Sequence, residues 1–261
     1  MKGEIRKVRQ LLAESECPLF ITGAGVSTGA GLPTYRGIGG LYEGRDTEDG
    51  MPIEEALSGR MLHDRPEITW KYLWEIAEAC HGVEPGPSHR VIAEIAAAKP
   101  DTWVLTQNVD GLHTASGVAN LIEIHGRAAN LECTGCGGQF DGWELLFSEA
   151  CEPPAPPGCP RCGELLRPKV VLFGEGLPEA EMKKYDALMT AGIDLVLSVG
   201  TSSLFPYITM PVEVARDAGV PSVEINTGRT EISGMVTHRL EMGCDEALLE
   251  LWSGGRSMPI A

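Results

Sequence analysis

The sequence predicts an α/β protein: a doubly wound parallel sheet carrying a smaller lobe made of a four-cysteine zinc ribbon and a helical insertion. Three observations lead there. Short, uniformly apolar segments alternate with helical patterns, as strands covered on both faces do. Glycines crowd the turn after the first of these segments. Two C-x-x-C pairs stand 22 residues apart in the middle of the chain.

Each element follows in chain order. Ile5, Val8, Leu11 and Leu12 recur at helical spacing, so residues 1–13 predict an amphipathic helix. This start lacks a continuous apolar stretch and a small-residue cleavage site, and so does not read as a signal peptide. After Pro18, residues 19–22 predict a short strand. It runs directly into Gly23-Ala-Gly-Val-Ser-Thr-Gly-Ala-Gly31. Glycines there would let backbone approach a pyrophosphate, as in Rossmann-like folds, although a plain tight turn remains an alternative. The spacing is not G-x-G-x-x-G, and no apolar strand precedes the acidic residues of Leu41–Glu48. Nucleotide binding is therefore expected, and hydride transfer is not.

Residues 37–85 predict a glycine-rich loop and helices. A helix over 88–97, strands over 103–106 and 121–124, a strand over 170–173 and a helix over 179–189 follow. A strand over 195–199, a helix over 211–218, a strand over 222–225 and a helix over 245–252 complete the chain. Residues 1–36, 86–126 and 168–261 thus form the expected Rossmann-like nucleotide-binding domain. Residues 37–85 are its cofactor loop and helical insertion, and 127–167 the zinc-ribbon module.

Composition narrows the function. Of the 261 residues, 21 are Lys or Arg and 37 are Asp or Glu, a formal charge of −16. Such a chain is a poor candidate for direct nucleic-acid binding or for docking on anionic lipid. No apolar run approaches the ~20 residues that span a bilayer. No membrane association and a cytoplasmic location are expected, where the eight cysteines are thiols or metal ligands.

Cys133 and Cys136 form the first C-x-x-C and Cys159 and Cys162 the second, each framed by turn residues. A two-residue gap lets both sulfurs of a knuckle reach one ion. Four thiolates leave zinc no open position, so the expected ion is structural. Cys17, Cys80, Cys151 and Cys244 read as packed or idle thiols.

A set of motifs then occurs in one order along the chain: Gly23-Ala-Gly-Val-Ser27, Leu32-Pro-Thr-Tyr-Arg36, Thr106-Gln-Asn-Val-Asp-Gly-Leu-His113, Ile124-His-Gly126, the two cysteine pairs, Pro168-Lys-Val-Val-Leu-Phe-Gly-Glu175, Val199-Gly-Thr-Ser202 and Val223-Glu-Ile-Asn226. With these the sequence resembles the sirtuins, NAD-dependent protein-lysine deacylases, of bacterial type. The resemblance implies that an acyl-lysine carbonyl oxygen attacks C1′ of the nicotinamide ribose and nicotinamide leaves. A base then helps the ribose 2′-hydroxyl attack the acyl carbon, and water releases O-acyl-ADP-ribose and free lysine.

The resemblance assigns His125 as that base, and imidazole suits the role because it titrates near working pH. It makes Asn108 the group that orients ribose and water, Asp110 the acceptor of the nicotinamide carboxamide, and Val109 part of the same pocket. Gln107 resembles a ribose contact. Gly23, Ala24, Gly25 and Ser27 resemble the phosphate turn. Tyr35 and Arg36 fall in the cofactor loop, where Thr34 replaces the commoner aspartate. Gly200, Thr201 and Ser202 resemble contacts to phosphate and ribose, Asn226 the adenosine-ribose contact, and Cys244 a residue lining the adenine site.

Val171, Leu172, Phe173 and Gly174 resemble the edge onto which an acyl-lysine peptide adds as a strand. One sirtuin branch grips acidic acyl groups through Tyr-x-x-Arg. Here Tyr72 aligns with the tyrosine and Glu75 with the arginine, so uncharged acyl groups, acetyl first, are expected. Lys71 is a possible substitute cation. A mono-ADP-ribosyltransferase or NAD hydrolase on the same fold is the alternative activity, and a non-enzymatic zinc-ribbon module a third.

Overall fold

In the computed structural model, residues 2–34, 47–148 and 151–252 are described. The chain opens with helix α1 (Lys2–Glu14), which buries Ile5, Val8 and Leu12 as the spacing predicts. Strand β1 (Pro18–Thr22) is buried at all five positions. A 3-10 helix (Ala24–Ala30) follows, not an α-helix. Helices α2 (Ile53–Ala56), α3 (Gly59–Asp64) and α4 (Pro66–Cys80) make the helical insertion. Then come α5 (Pro87–Ala98), β2 (Trp103–Thr106), α6 (Leu112–Ala115) and β3 (Leu121–Glu123). The cysteine-bearing stretch holds β4 (Gly126–Cys133), β5 (Gln139–Asp141), α7 (Gly142–Leu146) and β6 (Leu166–Val170). The chain returns through α8 (Glu179–Ala191), β7 (Leu195–Val199), α9 (Pro206–Ala218), β8 (Ser222–Ile225), β9 (His238–Leu240) and α10 (Cys244–Trp252).

The larger sheet is parallel throughout, in the order β3-β2-β1-β7-β8-β9. The chain winds outward on one side of β1, then crosses to β7 on the other. That reversal opens a crevice beyond the carboxyl ends of β1 and β7, the usual ligand position in such sheets. Apolar clusters fill both faces: Phe20, Leu195, Leu197 and Val223 with α1, α5 and α10 on one, Leu19, Ile21, Val196 and Ile208 with α8 and α9 on the other.

Two expectations are corrected. Residues 170–173 do not form a strand of the parallel sheet. Val170 ends β6, which pairs antiparallel with β4, and β5-β4-β6 make a separate three-stranded sheet. The run is apolar because it packs into the smaller lobe: Leu172 is buried there, with Val170 and Phe173 against the same cluster. The sixth parallel strand is instead β9, which carries no apolar run to betray it. Its His238 bonds Glu4 at 2.6 Å, and its Arg239 bonds the buried Glu224 at 2.9 Å.

Helix α9 also starts five residues earlier than the pattern suggested. Pro206 occupies its first turn, where no N–H is needed, and Pro211 lies inside it. Pro211 has no N–H to give the carbonyl four residues back, that of Tyr207. The Tyr185 hydroxyl donates to that carbonyl instead, at 3.0 Å.

Candidate active site

Strand ends bring the motif residues together. β1 delivers the glycine turn, β2 delivers Gln107 to Asp110, β3 leads into His125, β7 into Gly200–Ser203, and β8 into Asn226. The first and fourth of these loops touch backbone to backbone. Gly25 N–H donates to the Gly200 carbonyl at 2.9 Å, and Gly23 N–H to the Val199 carbonyl at 3.2 Å. A Cβ on Gly25 would lie 2.6 Å from Gly200 Cα, and Gly200 itself has φ of 61°. Loop contact alone therefore demands glycine at both positions.

Asn108 is 4% exposed. Its Nδ2 donates to the Gly23 carbonyl and to Ser27 Oγ, each at 3.1 Å, and its own N–H donates to Thr106 Oγ1. Both amide hydrogens are thus taken, and Oδ1 is left as the acceptor. Ser27 Oγ in turn donates to Asp110 Oδ2 at 2.7 Å, while Asp110 Oδ1 accepts the Leu112 N–H at the start of α6. Asp110 therefore both makes a turn onto the first residue of α6 and closes a chain running from the glycine turn through Ser27.

On the opposite wall, Gln107 Nε2 donates to Thr201 Oγ1 at 2.6 Å, and that oxygen also accepts the Ser203 N–H. Asn226 Nδ2 donates to the Thr201 carbonyl at 3.0 Å. Ser203, fully buried, sits at φ of 54°, a strained conformation for a residue with a side chain. Ser202 is exposed and Ala24 half-buried. Cys244 lies against Gly200, and burial pushes its thiol up to about 12, so it stays protonated. Tyr35 and Arg36 lie outside the described residues.

His125 is held at both ring nitrogens. Nδ1 is 3.0 Å from the Gln107 carbonyl, and Nε2 is 2.7 Å from the Tyr207 hydroxyl. A carbonyl only accepts, so Nδ1 carries the proton and Nε2 presents its lone pair. Burial holds the imidazole below its ordinary pKa, against the raising effect of the Gln107 carbonyl. At working pH the ring is a neutral base. Phe205 meets it edge-on at 5.8 Å and stacks on Tyr207 at 5.5 Å. Sequence reasoning missed Tyr207 and Phe205. Both follow the Gly-Thr-Ser loop directly, and that adjacency was the available signal.

The segment 171–174 borders His125, because the Val171 N–H donates to the His125 carbonyl at 2.9 Å. Phe173 bonds on its other side, its N–H to the Leu57 carbonyl and its carbonyl to the Gly59 N–H. The Glu175 carboxylate pairs with Arg167 through two bonds of 2.6 and 2.8 Å and accepts the Leu172 N–H at 3.0 Å. Gly174 turns at φ of 83°. On α4, the Tyr72 hydroxyl donates to Asp49 at 2.6 Å, and Lys71 pairs with Glu48 and Asp49 at 3.0 and 3.2 Å. Burial raises the Glu75 carboxyl above its ordinary value.

In the smaller lobe the sulfurs of Cys133, Cys136, Cys159 and Cys162 lie within 4.8 Å of one another. N–H groups of Gly135 and Cys136 point at Cys133 Sγ, and that of Arg161 at Cys159 Sγ, all at 3.4 Å. The Cys136 N–H above all brings the Cys133 thiol down to about 6. Four soft anionic ligands converging on one point suit tetrahedral zinc. Cys80 and Cys17, outside this group, are pushed up by burial and stay neutral. Among the described residues no helix is long and apolar enough to cross a membrane.

Comparison with known proteins agrees with this arrangement. A model described as the Sir2 family matches residues 23–205. An NAD-dependent protein deacylase 2 of Pseudomonas aeruginosa is 48% identical over 89% of this chain and 90% of its own length. An NAD-dependent protein deacylase of Pyrococcus furiosus is 35% identical over 96% of each chain. A solved Sir2 homolog–NAD complex superposes with a TM-score of 0.83 at 30% identity, covering 96% of this chain and 93% of that one.

Proposed function

This chain belongs to the Sir2 family, and from that premise and the site's geometry we infer that it is an NAD-dependent protein-lysine deacylase, yielding nicotinamide, O-acyl-ADP-ribose and free lysine. The observation that carries the residue roles is the pair of bonds at His125, with the proton on Nδ1 and the lone pair on Nε2. Bound NAD supplies a sugar carbon that becomes electrophilic as nicotinamide departs.

His125 takes the proton of the ribose hydroxyl when that oxygen attacks. Asn108, fixed by both amide hydrogens, turns Oδ1 toward ribose or water and adds no charge beside a cationic sugar. Asp110, held by Ser27, receives the nicotinamide carboxamide, with Val109 beside it. Gln107 and Thr201 form one wall with Gly200 and Ser202. Gly23, Ala24, Gly25 and Ser27 hold phosphate, while Asn226 and Cys244 flank the adenosine half. Tyr35 and Arg36 complete the cofactor loop. Zinc on Cys133, Cys136, Cys159 and Cys162 is structural and takes no part in the reaction. Residues 1–36, 86–126 and 168–261 form the NAD-binding part, 37–85 the loop and helical insertion, and 127–167 the ribbon module.

An acyl-lysine peptide lies along Val171, Leu172, Phe173 and Gly174, bound mainly through its backbone. Uncharged acyl groups are preferred, acetyl first. The Tyr72 hydroxyl and the Lys71 ammonium are already engaged by Asp49 and Glu48, so neither is left to grip an acyl carboxylate.

Incubation with NAD and a panel of acylated lysine peptides tests this. O-acetyl-ADP-ribose, found by mass spectrometry, is the expected product, with succinyl-lysine turned over far more slowly. Free ADP-ribose or ADP-ribosylated protein would replace this activity with hydrolysis or ribosyl transfer. His125→Ala should lose at least ~10²-fold in turnover with the fold intact. Retained deacylation in that variant would remove His125 from its role.

A further inference from the structure

We propose that Tyr207 is the positioning residue of His125: its hydroxyl fixes the imidazole in the Nδ1–H form and keeps it unprotonated until a ribose hydroxyl takes over the Nε2 lone pair. The proposal rests on His125 being the base.

The arrangement is specific. Nε2 has one lone pair, and the Tyr207 hydroxyl at 2.7 Å donates into it. Only the neutral ring can accept that bond. Each hydrogen bond to a neutral form disfavours the charged one, so Tyr207 lowers the proton affinity of His125. Burial raises the Tyr207 phenol to about 12, so it keeps the proton it donates.

The hydroxyl is also held in place from behind. Pro211 deprives the Tyr207 carbonyl of its helical partner, and the buried Tyr185 hydroxyl supplies a substitute at 3.0 Å. The Tyr207 ring stacks on Phe205 with planes 7° apart. A proline in mid-helix, a buried tyrosine and an aromatic stack thus converge on one phenol at the first turn of α9. Tyr207 is nonetheless only half-buried, so an incoming sugar can reach the bond it makes.

The other groups around the ring leave little else to set its protonation. The end of β2 contributes the Gln107 carbonyl, and the segment before α9 contributes the apolar Phe205 face. On the β3 side, Glu123 is taken by Arg127 at 2.7 Å. Beyond β2, Asp110 is taken by Ser27 and Leu112. The Val171 segment bonds the main chain of His125, through the Val171 N–H to its carbonyl.

Imidazole ¹⁵N NMR of the free protein tests the proposal without needing turnover, with the His125 signal assigned by its loss in His125→Ala. The wild type should show an Nδ1–H tautomer and a pKa below the ordinary ~6.5. Tyr207→Phe keeps the stack and the backbone anchor, and should raise that pKa by roughly half to one unit, the weight of one ordinary hydrogen bond. Its deacylation kcat should fall several-fold more than its rate of nicotinamide exchange, since only the later step needs the base. Tyr185→Phe disturbs the same helix turn but leaves the hydroxyl, and should move the pKa less. An unchanged tautomer and pKa in Tyr207→Phe would overturn the proposal, as would an equal shift in Tyr185→Phe. A wild type that shows these NMR properties yet makes no O-acyl-ADP-ribose would instead overturn the deacylase assignment and leave Tyr207's hold on the ring intact.

Discussion

The two sheets of this protein are stabilised in different ways. In the parallel sheet, β1, β7 and β8 are buried at every position. Their cohesion is apolar area removed from water, spread over two packed clusters, one on each face. The β5-β4-β6 sheet is half-solvated: β5 has no fully buried residue, and β4 alternates between buried and partly exposed positions. Its inner face packs on a core of the lobe's own, with Leu131 and Leu166 fully buried in one cluster with Trp70 and Leu73 of α4. Four sulfurs meeting beside these strands add a second, point-like anchor. One region rests on apolar area, and the other on an apolar core of its own together with a cluster of metal ligands. The proposed active site lies where they meet, with His125 between β3 and β4 and its carbonyl bonded to Val171 just past β6.

The largest expected effect tests that contrast directly. Stripping zinc removes a binding free energy of order 10 kcal/mol from the lobe. Hydrogen exchange during chelation should show β4, β5 and β6 losing protection while β1, β7 and β8 keep theirs. Cys159→Ser should reproduce the pattern more weakly. If both sheets opened together, or neither did, the division into two modes of cohesion would be wrong.

The next effect belongs to the other sheet. Leu197 is fully buried in mid-strand. Leu197→Ala should cost about 2–5 kcal/mol of global stability by lost transfer and cavity formation. Its denaturation midpoint should drop with zinc still bound. Release of zinc before the main transition would show that the sheet supports the lobe more than their separate cores suggest.

These differences also decide what was legible in the sequence. Strands at 103–106, 195–199 and 222–225 match their predicted bounds, because burial on both faces writes short, mostly apolar runs, broken only by buried polar residues such as Ser198 and Glu224. Cys133, Cys136, Cys159 and Cys162 could be grouped from spacing, since a knuckle geometry leaves a regular trace. β9 could not be found: its side chains answer charges on Glu4 and Glu224, and a polar edge strand leaves no periodic mark. Residues 170–173 misled for the converse reason, being apolar for the lobe's core and not for a parallel sheet. At the site, motif residues such as Asn108 and Asp110 were nameable in advance, but their linkage through Ser27 depends on loops 80 residues apart. Tyr207 carried only its place just after the Gly-Thr-Ser loop, because its meaning lies in a bond to a residue distant in sequence.

A smaller effect tests the seam between the cofactor loops. A Cβ on Gly25 would press on Gly200 backbone, not on a side chain that could swing away. Gly25→Ala should therefore cost about 1–3 kcal/mol, the range for overpacking, and weaken NAD binding measured by calorimetry. The four-sulfur site should be untouched. Unaltered NAD affinity would mean that the two loops separate more readily than their paired hydrogen bonds indicate.

The smallest effect concerns the clamp that ties the lobe to segment 171–174, the proposed peptide edge. Burial raises the Glu175 carboxyl, but the Arg167 guanidinium and the Leu172 N–H outweigh it and hold the group below its ordinary value. A carboxylate depressed in the folded state contributes stability that is fully present above its unfolded pKa, near 4.3, and is lost as pH falls through the lower folded value. Exchange protection around Leu172 should accordingly be flat from neutral pH down to about 5 and decline below about 4. Glu175→Gln keeps the shape but removes the charge, so protection should be lower at neutral pH by roughly the 1 kcal/mol of an ordinary hydrogen bond, with the acid decline gone and the gap to wild type closing as its carboxyl protonates. Peptide affinity should weaken alongside, while zinc and NAD binding hold. A decline that persists in Glu175→Gln would place its cause in another carboxylate and would leave segment 171–174 held by its backbone bonds to Leu57, Gly59 and His125 alone.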